Sequence, residues 1–279
     1  MVTVLRRGDH GPEVELLQQR LRAAGFPPGR IDGSFGVATE AALLGYQRAH
    51  DLLADGVAGP ATWHTLAALG NGTAIDLTDR VDVALVAEMF PFTPLQPIRR
   101  HLPCVLAGLR AAGLVDKPML LMALATIRAE SEGFAPVEEQ PSRYNSSPEG
   151  EPFDLYDHRR DLGNRGRPDG SRYRGRGFIQ LTGRDNYHRY GAALGLGDRL
   201  VREPQRAAEP GIAGRLLAAF LADRQRPIKQ ALLEGDLARA RRLVNGGTHG
   251  LDRFMAAYRT GDALLVDPIW AGHRPRSAA

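Results

Sequence analysis

Apolar residues in the N-terminal third of the chain recur at the spacing of amphipathic helices. Val14, Leu17 and Leu21 lie on one face of a first segment, and residues 39–53 carry a second series of the same kind. A third apolar segment, TWHTLAAL, follows at residues 62–69. The pattern predicts a small three-helix unit.

An internal repeat separates these helices. DGSFGVAT at 32–39 and DGVAGPAT at 55–62 share the pattern D-G-x-x-G-x-A-T, 23 residues apart. Asp-Gly favours a tight turn, and the second glycine permits a close or left-handed backbone. Each copy therefore predicts a turn followed by the start of a helix.

The segment PMLLMALATIRAESEGF predicts a buried helix in the second part of the chain. Asp116 is a suitable N-cap, Pro118 falls in the first turn, and Gly133 is a natural stop. Residues 120–124 are apolar on all sides, which is typical of a core helix.

Glu130 extends an apolar stripe along this helix. Ala123, Ile127, Glu130 and Phe134 follow at steps of four, three and four residues. Desolvation disfavours the charged form of a carboxylate, as a general acid near neutral pH requires. A capping or core-pairing role for Glu130 is the equal alternative on this feature alone.

The neighbouring glutamates differ from Glu130 in position. Glu132 lies four residues after Arg128, which predicts a surface pair. Glu138 and Glu139 follow beyond a bend at Pro136.

The segment YRGRGFIQLTGRDNYHRYG at 173–191 predicts a short extended stretch over 178–182. With a period of two, Phe178, Gln180 and Thr182 share one face. An aromatic ring, an amide and a hydroxyl on one face suit the floor of a sugar-binding cleft. The glycines before them allow close approach of a ligand or of backbone. The segment lacks the third glycine and the βαβ context of a dinucleotide fingerprint.

Composition and charge argue against a nucleic-acid-binding protein and against a membrane-spanning one. The 279 residues suggest two domains, and the net charge of +4 is too small to indicate a nucleic-acid partner. No run of 18 apolar residues predicts a membrane span, and the N-terminus lacks the apolar region of a secretory signal. We expect a monomer without stable membrane insertion.

The sequence implies neither a metal nor another cofactor. Its eight histidines form no H-E-x-x-H motif, and His158, His188 and His249 near the motifs suit surface or hydrogen-bonding roles. Cys104, the single cysteine, lies in RHLPCVLAGL, which predicts a buried helix start with the thiol as core filler. A zinc amidase and a Cys-His peptidase are therefore disfavoured.

Residues 4–68 resemble the peptidoglycan-binding type 1 domain of cell-wall hydrolases. The motifs are LRRGDHGPEVELLQQRL, IDGSFGVATEAALLGYQ and DGVAGPATW. The resemblance implies a wall anchor without chemistry of its own. We favour a core role for Trp63 over a ligand platform, because a small bundle needs a large apolar filler.

Residues 80–262 resemble the family 19 glycoside hydrolases, which include lysozyme-like chitinases and phage endolysins. YRGRGFIQLTGRDNY is similar to the central motif of that family, IRAESEGF to its acid-bearing helix end and RLVNGG to a later turn. The implied fold is mainly α: a three-helix bundle at 1–69, a linker at 70–80, and a lysozyme-like α-rich catalytic domain with a short β element at 81–279.

The resemblance assigns a role to several residues. Its general acid falls on Glu130, and its second carboxylate, nine residues on, falls on Glu139, with the adjacent Glu138 as the alternative. Thr182 matches the residue that helps hold the attacking water. The matching polar or substrate-binding positions are Tyr173, Gln180, Asn186 and Asn245.

Two positions depart from the family pattern. Ala129 stands where many relatives carry histidine before the acid, and EEQPSRYN differs from the commoner sequence after the base. These departures affect the tuning of the acid and the details of the base loop.

The implied reaction is hydrolysis of a β-1,4 glycosidic bond of peptidoglycan with inversion. The enzyme would be made in the cytoplasm without a signal peptide and would reach the wall after holin-type or other release. The alternatives are a chitinase of the same fold, a lytic transglycosylase with one essential carboxyl group, and a wall-binding protein with an inactive catalytic domain.

Overall fold

The computed structural model describes residues 4–69, 76–131, 133–233, 235–245, 247 and 250–266. Over these residues the chain is mainly helical, which confirms the predicted fold class. The α-helices are α1 (Pro12–Ala23), α2 (Val37–Ala49), α3 (Pro60–Leu69), α4 (Val83–Met89), α5 (Leu95–Ala111), α6 (Lys117–Glu130), α7 (Asp154–Asp157), α8 (Asp169–Arg172), α9 (Arg184–Ala193), α10 (Arg199–Arg202), α11 (Pro210–Ala222), α12 (Gln225–Leu233), α13 (Leu237–Asn245) and α14 (Leu251–Leu264).

The remaining regular structure is short. Single 3-10 turns occupy Thr78–Arg80, Arg160–Leu162 and Pro204–Ala208. Strands β1 (Val137–Glu138) and β2 (Arg176–Gly177) pair antiparallel, with Val137 opposite Gly177 and Glu138 opposite Arg176. This two-residue ladder corresponds to the short β element predicted from the sequence.

The three predicted N-terminal helices pack around a core of their own. Val14, Leu17, Leu43 and Tyr46 are fully buried in it. Trp63 is partly buried and packs against this core, in agreement with the predicted filler role.

A buried glutamine explains the first copy of the repeat. Gln18 on α1 donates from Nε2 to Asp32 Oδ1 at 3.0 Å and to Thr39 Oγ1 at 3.1 Å. Its Oε1 accepts from the Gly33 amide at 3.0 Å. The Asp, Gly and Thr of the motif therefore surround one amide group.

Gln47 on α2 holds the second copy in the same way. Its Nε2 lies 3.0 Å from Asp55 Oδ1 and 3.2 Å from Thr62 Oγ1, and its Oε1 accepts from the Gly56 amide at 3.0 Å. The repeat is therefore a duplicated hydrogen-bonding unit that ties each turn to the preceding helix.

Part of the predicted linker belongs to the second unit. Residues 70–75 lie outside the described ranges. Leu77 is 1% exposed within the large core, and its amide donates to the Val115 carbonyl at 3.0 Å. Arg110 pairs with Asp76 at 2.8 Å and with Asp79 at 2.7 Å. Because Leu77 is anchored in this way, 76–80 is not a free tether.

Helix α6 lies at the centre of the large core. All its residues from Pro118 to Ala129 are buried, and Asp116 caps its start by accepting from the Met119 amide at 3.1 Å, as predicted. The helix ends at Glu130, three residues before the predicted stop at Gly133. Burial on every side means that the apolar stripe is not what distinguishes Glu130.

Two glycines set the packing of α5 on α11. A Cβ on Gly108 would lie 2.5 Å from the Gly214 carbonyl oxygen, and a Cβ on Gly214 would lie 2.5 Å from the Cys104 carbonyl oxygen. The backbones therefore touch, as only glycine allows. None of the described helices combines the length and apolar character needed to cross a membrane.

Candidate functional site

Glu130 forms an ion pair with a buried arginine. It is the last residue of α6, and its side chain is 17% exposed. Arg241 on α13, fully buried, donates from Nη2 to Glu130 Oε1 at 2.8 Å. The two paired residues are 111 positions apart in sequence, and their contact joins α6 to α13.

This pairing changes the sequence-based explanation for Glu130. Desolvation at the end of an apolar helix was expected to dominate its environment. The structure instead places a guanidinium nitrogen 2.8 Å from its Oε1. Glu130 therefore lies between an apolar helix and a fixed positive charge.

The loop after Glu130 is fixed by an aromatic anchor. Phe134 adopts a left-handed backbone with φ of 47° and is completely buried. Its ring centroid lies 4.9 Å from that of Phe90 and 6.3 Å from that of Phe178. The Ser131 hydroxyl donates to the Ala135 carbonyl at 3.1 Å, which closes the turn. The chain therefore leaves α6 in a defined direction before it reaches β1.

Glu132 lies outside the described residues, so its predicted pairing with Arg128 stays a prediction.

Glu139 is held by donors from three separate segments. Its Oε1 accepts from Asn145 Nδ2 at 3.0 Å and from the Tyr156 hydroxyl at 2.9 Å. Its Oε2 accepts from the Gly175 amide at 2.9 Å. Both oxygens of the Glu139 side chain therefore act as hydrogen-bond acceptors.

Glu138 has a different environment. It forms ion pairs with Arg174 and, at 3.3 Å, with Nε of the buried Arg176. Glu138, the alternative base in the sequence analysis, is therefore paired with two guanidinium groups. Glu138 ends β1 and Glu139 directly follows it, and the two adjacent carboxylates contact different partners.

The stretch 178–182 is a tight turn and not the extended segment predicted from the sequence. Arg176 and Leu181 pair through both backbone hydrogen bonds, at 3.2 and 2.9 Å, and Gln180 has a φ of 52°. Phe178 is fully buried in the large core, so it does not belong to a cleft floor. The period-two argument was wrong because Gly177, with a φ of 87°, starts a turn there.

Gly175 is the point where three polar side chains converge. A Cβ placed on it would lie 2.7 Å from Gln180 Oε1, 3.1 Å from Glu139 Oε2 and 3.2 Å from Thr182 Oγ1. The Thr182 hydroxyl donates to the Gln180 carbonyl at 2.8 Å, which leaves its oxygen free to accept. The turn thus brings the predicted residues Gln180, Thr182 and Glu139 together.

The other predicted binding residues lie outside this cluster. Asn186 donates to the Thr182 carbonyl at 2.7 Å from the first turn of α9. Asn245 is the last residue of α13, four residues after Arg241. Tyr173 is 1% exposed, and its hydroxyl donates to the Val201 carbonyl at 3.2 Å. Because Tyr173 is buried among protein contacts, we assign it to packing.

Three side chains that contact the two carboxylates were not predicted from the sequence. They are Arg241 on Glu130, and Asn145 and Tyr156 on Glu139. Burial and the neighbouring Glu139 raise the pKa of Tyr156 to about 12, so this phenol remains a donor at neutral pH. No periodicity marks these residues: Arg241 and Tyr156 lie 111 and 17 residues from their partners, and Asn145 reaches Glu139 through an irregular loop.

No group of three His, Cys, Asp or Glu side chains with metal-binding geometry occurs among the described residues. His188 is exposed and lies 3.4 Å from Asp198, while His249 lies outside the described ranges. Burial raises the pKa of Cys104, whose thiol donates to the His101 carbonyl at 2.9 Å. Cys104 lies in the middle of α5 and not at a helix start.

Comparison with known proteins identifies the N-terminal unit. Residues 10–66 match the family described as "Putative peptidoglycan binding domain". An N-acetylmuramoyl-L-alanine amidase, CwlM, of Mycobacterium tuberculosis is 47% identical over 57 residues, which are 20% of this chain and 14% of that protein. The similarity to CwlM is therefore limited to a small part of its length.

A second relative matches more than half of the chain. A glycosyl hydrolase family 19 domain-containing protein of Haemophilus influenzae is 30% identical over 183 residues, 57% of this chain and 85% of that protein. The crystal structure of chitinase C from Streptomyces griseus is 19% identical, with a TM-score of 0.47, over 70% of this chain and 79% of that one.

Proposed function

This chain belongs to glycosyl hydrolase family 19, and from that membership and its peptidoglycan-binding domain we propose that it hydrolyses the glycan strands of peptidoglycan. The bond would be the β-1,4 glycosidic bond, cut as by a lysozyme-type endolysin. Glu130 and Glu139 would carry the reaction as general acid and general base.

The arrangement of Glu139 is the observation that carries this proposal. Its Oε1 already accepts two hydrogen bonds, whereas its Oε2 accepts only the Gly175 amide among the described residues. Oε2 is also the oxygen that faces Gln180 and Thr182 around Gly175. Oε2 therefore has a lone pair available to take a proton from water.

A water beside Oε2 would find a second partner in Thr182. The Thr182 hydroxyl is committed as a donor to the Gln180 carbonyl, so its oxygen can accept the other hydrogen of the water. Gln180 Oε1 lies in the same place and offers a further acceptor. Fixing the hydrogens in this way directs the lone pair of the water oxygen toward the sugar carbon.

Glu130 would donate a proton to the oxygen of the leaving sugar. Arg241 occupies Oε1, so Oε2 is the atom left to present a proton. Inversion requires the two carboxyl groups to lie about 6.5–9.5 Å apart, on opposite faces of the sugar. The Phe134 anchor and the pairing of β1 with β2 give these carboxylates separate and rigid supports.

Substrate binding and wall attachment complete the proposal. Asn186 and Asn245 would contact sugar, and residues 1–69 would hold the enzyme on the wall and raise its local concentration there. We propose peptidoglycan as the partner, action at the cell wall and a monomeric enzyme.

Product analysis of digested peptidoglycan tests this function. The parent should release reducing muropeptides with the inverted anomer at first, and Glu130→Gln and Glu139→Gln should each lower the rate by about 10²–10⁴-fold. Anhydro sugars would indicate a transglycosylase instead. Release of chito-oligomers with intact peptidoglycan would indicate a chitinase, and lysis unaffected by Glu130→Gln would indicate an inactive site.

A further inference from the structure

An arginine and a tyrosine are exposed together on the turn that follows Glu139. The Tyr144 side chain is 74% exposed. The Arg143 guanidinium carbon lies 4.9 Å from its ring centroid, and Arg143 Nη2 donates to the Tyr144 hydroxyl at 2.7 Å. The two side chains thus form a pair in which the guanidinium contacts the ring and its hydroxyl, while most of the Tyr144 side chain stays exposed.

This turn is attached directly to the candidate base. Asn145, 1% exposed, donates to Glu139 Oε1 and to the Gln140 carbonyl, both at 3.0 Å. Its Oδ1 accepts from the Ser142 amide at 2.7 Å. Tyr144 directly precedes this buried anchor in the chain, so the exposed pair is attached through one residue to the side chain that holds Glu139.

Arg143 also differs from the arginines around the central motif. Arg174 and Arg176 pair with Glu138, and Arg184 pairs with Asp169 at 3.3 Å. Across the described ranges, Arg143 has no carboxylate within ion-pair distance. Its remaining N–H donors have the fork geometry that binds a carboxylate in bidentate fashion.

We propose that Arg143 and Tyr144 form a subsite for a sugar that bears a carboxylate, with the sugar face on the exposed Tyr144 ring and the carboxylate on Arg143. The inference rests on the proposed function and extends it to the choice of substrate. In peptidoglycan the carboxylate can be the lactyl group of a muramic acid that carries no stem peptide, or a group of the stem peptide where one is attached. Chitin offers neither, so the pair would favour the charged glycan.

Kinetics on matched charged and neutral glycans test the subsite. The substrates are intact peptidoglycan and amidase-stripped strands, each compared with a counterpart whose carboxylates have been converted to amides. For Arg143→Gln we expect KM on the charged strands to rise about 10-fold with kcat unchanged, the size of one charge-assisted hydrogen bond. The neutral strands should be cleaved as by the parent.

Control variants separate the charge from the ring. Arg199→Gln removes another exposed positive charge, on α10, and should change nothing. Tyr144→Ala should raise KM on charged and neutral strands alike, because stacking does not require the carboxylate, whereas Tyr144→Phe should remain within about 2-fold of the parent.

The outcomes distinguish this subsite from the proposed function. An Arg143 effect on stripped strands assigns the carboxylate to the lactyl group, and an effect on intact peptidoglycan alone assigns it to the stem peptide. Equal cleavage of charged and neutral strands by the parent overturns the subsite and leaves the proposed function standing. A parent that cleaves no glycan overturns both.

Discussion

Glu139 and Gly175 are hydrogen-bonded to each other twice. The Glu139 amide donates to the Gly175 carbonyl at 2.8 Å, and the Gly175 amide donates to Glu139 Oε2 at 2.9 Å. The first bond continues the β1–β2 pairing, and the second fixes the side chain. The backbone of the glycine motif therefore positions the carboxylate that we propose as the base.

We predict that Gly175→Ala abolishes most activity with a smaller effect on folding. The new methyl group would enter within 2.7 Å of Gln180 Oε1 and 3.1 Å of Glu139 Oε2. Displacement of these groups by a few tenths of an ångström misaligns the water, and we expect at least about a 10²-fold loss in kcat/KM. Steady-state kinetics and thermal unfolding measure the two effects separately.

Gly133→Ala is the matched control for that variant. A Cβ at Gly133, in the loop after Glu130, meets no atom within 4 Å. Activity and Tm should both stay close to those of the parent. Equal losses in the two glycine variants would contradict a specific role for Gly175.

Removal of the charge at Glu138 and at Glu139 should have different consequences. Glu139→Gln keeps the shape but removes the proton acceptor, so the loss appears in kcat. Glu138→Gln weakens pairs with Arg174 and Arg176, so its main effect should be a lower Tm. Circular dichroism melts beside single-turnover kinetics distinguish the two, and a larger kcat loss for Glu138→Gln would exchange their roles.

Arg241→Met should destabilise the catalytic part strongly. Removing one partner of a buried pair typically costs about 3–5 kcal/mol, because the other charge is left without compensation. The double variant Arg241→Met, Glu130→Gln should lose less free energy of unfolding than the sum of the single variants. Denaturant titrations of all four proteins measure the coupling; simple additivity would show that the 2.8 Å contact contributes nothing.

Gln18→Ala should unfold the N-terminal unit and spare the catalytic chemistry. The substitution leaves the buried polar groups of Asp32, Gly33 and Thr39 without their hydrogen-bond partner. Each unsatisfied group lowers the free energy of unfolding by about 1–3 kcal/mol. We expect loss of binding to insoluble wall with unchanged cleavage of soluble fragments. Gln19→Ala removes an exposed neighbour on the same helix and should retain binding.

His101 should make the catalytic part less stable in mild acid. Burial, with a smaller contribution from Arg100, lowers the pKa of His101 in the folded protein. The unfolded chain therefore binds a proton more readily, so the stabilisation is complete above the unfolded value of about 6.5 and is lost as the pH falls below it.

The measurement is the free energy of unfolding between pH 7.5 and 5 for the parent and for His101→Met. The slope for the parent should exceed that of the variant by at most about 1.4 kcal/mol per pH unit. Identical slopes would show that His101 does not titrate differently in the two states.

Local patterns in the sequence determined the helices and several of their ends. The spacing of Val14, Leu17 and Leu21 predicted α1, and Asp116 predicted the start of α6, because side-chain periodicity and capping depend on neighbours within a few residues. The D-G-x-x-G-x-A-T repeat marked two turns. The motifs of the second part also identified its family, which the relative from Haemophilus influenzae confirms.

Only the tertiary structure decided how the candidate site is arranged. Glu138 and Glu139 are adjacent and chemically identical, and they differ because Arg174 faces one while the Gly175 amide faces the other. Arg241 reaches Glu130 across 111 residues. Such contacts depend on how distant segments pack, which short-range periodicity does not encode. The tight turn at 178–182 has a local cause instead, because the left-handed backbone of Gly177 turns the chain where a period of two predicts an extended stretch.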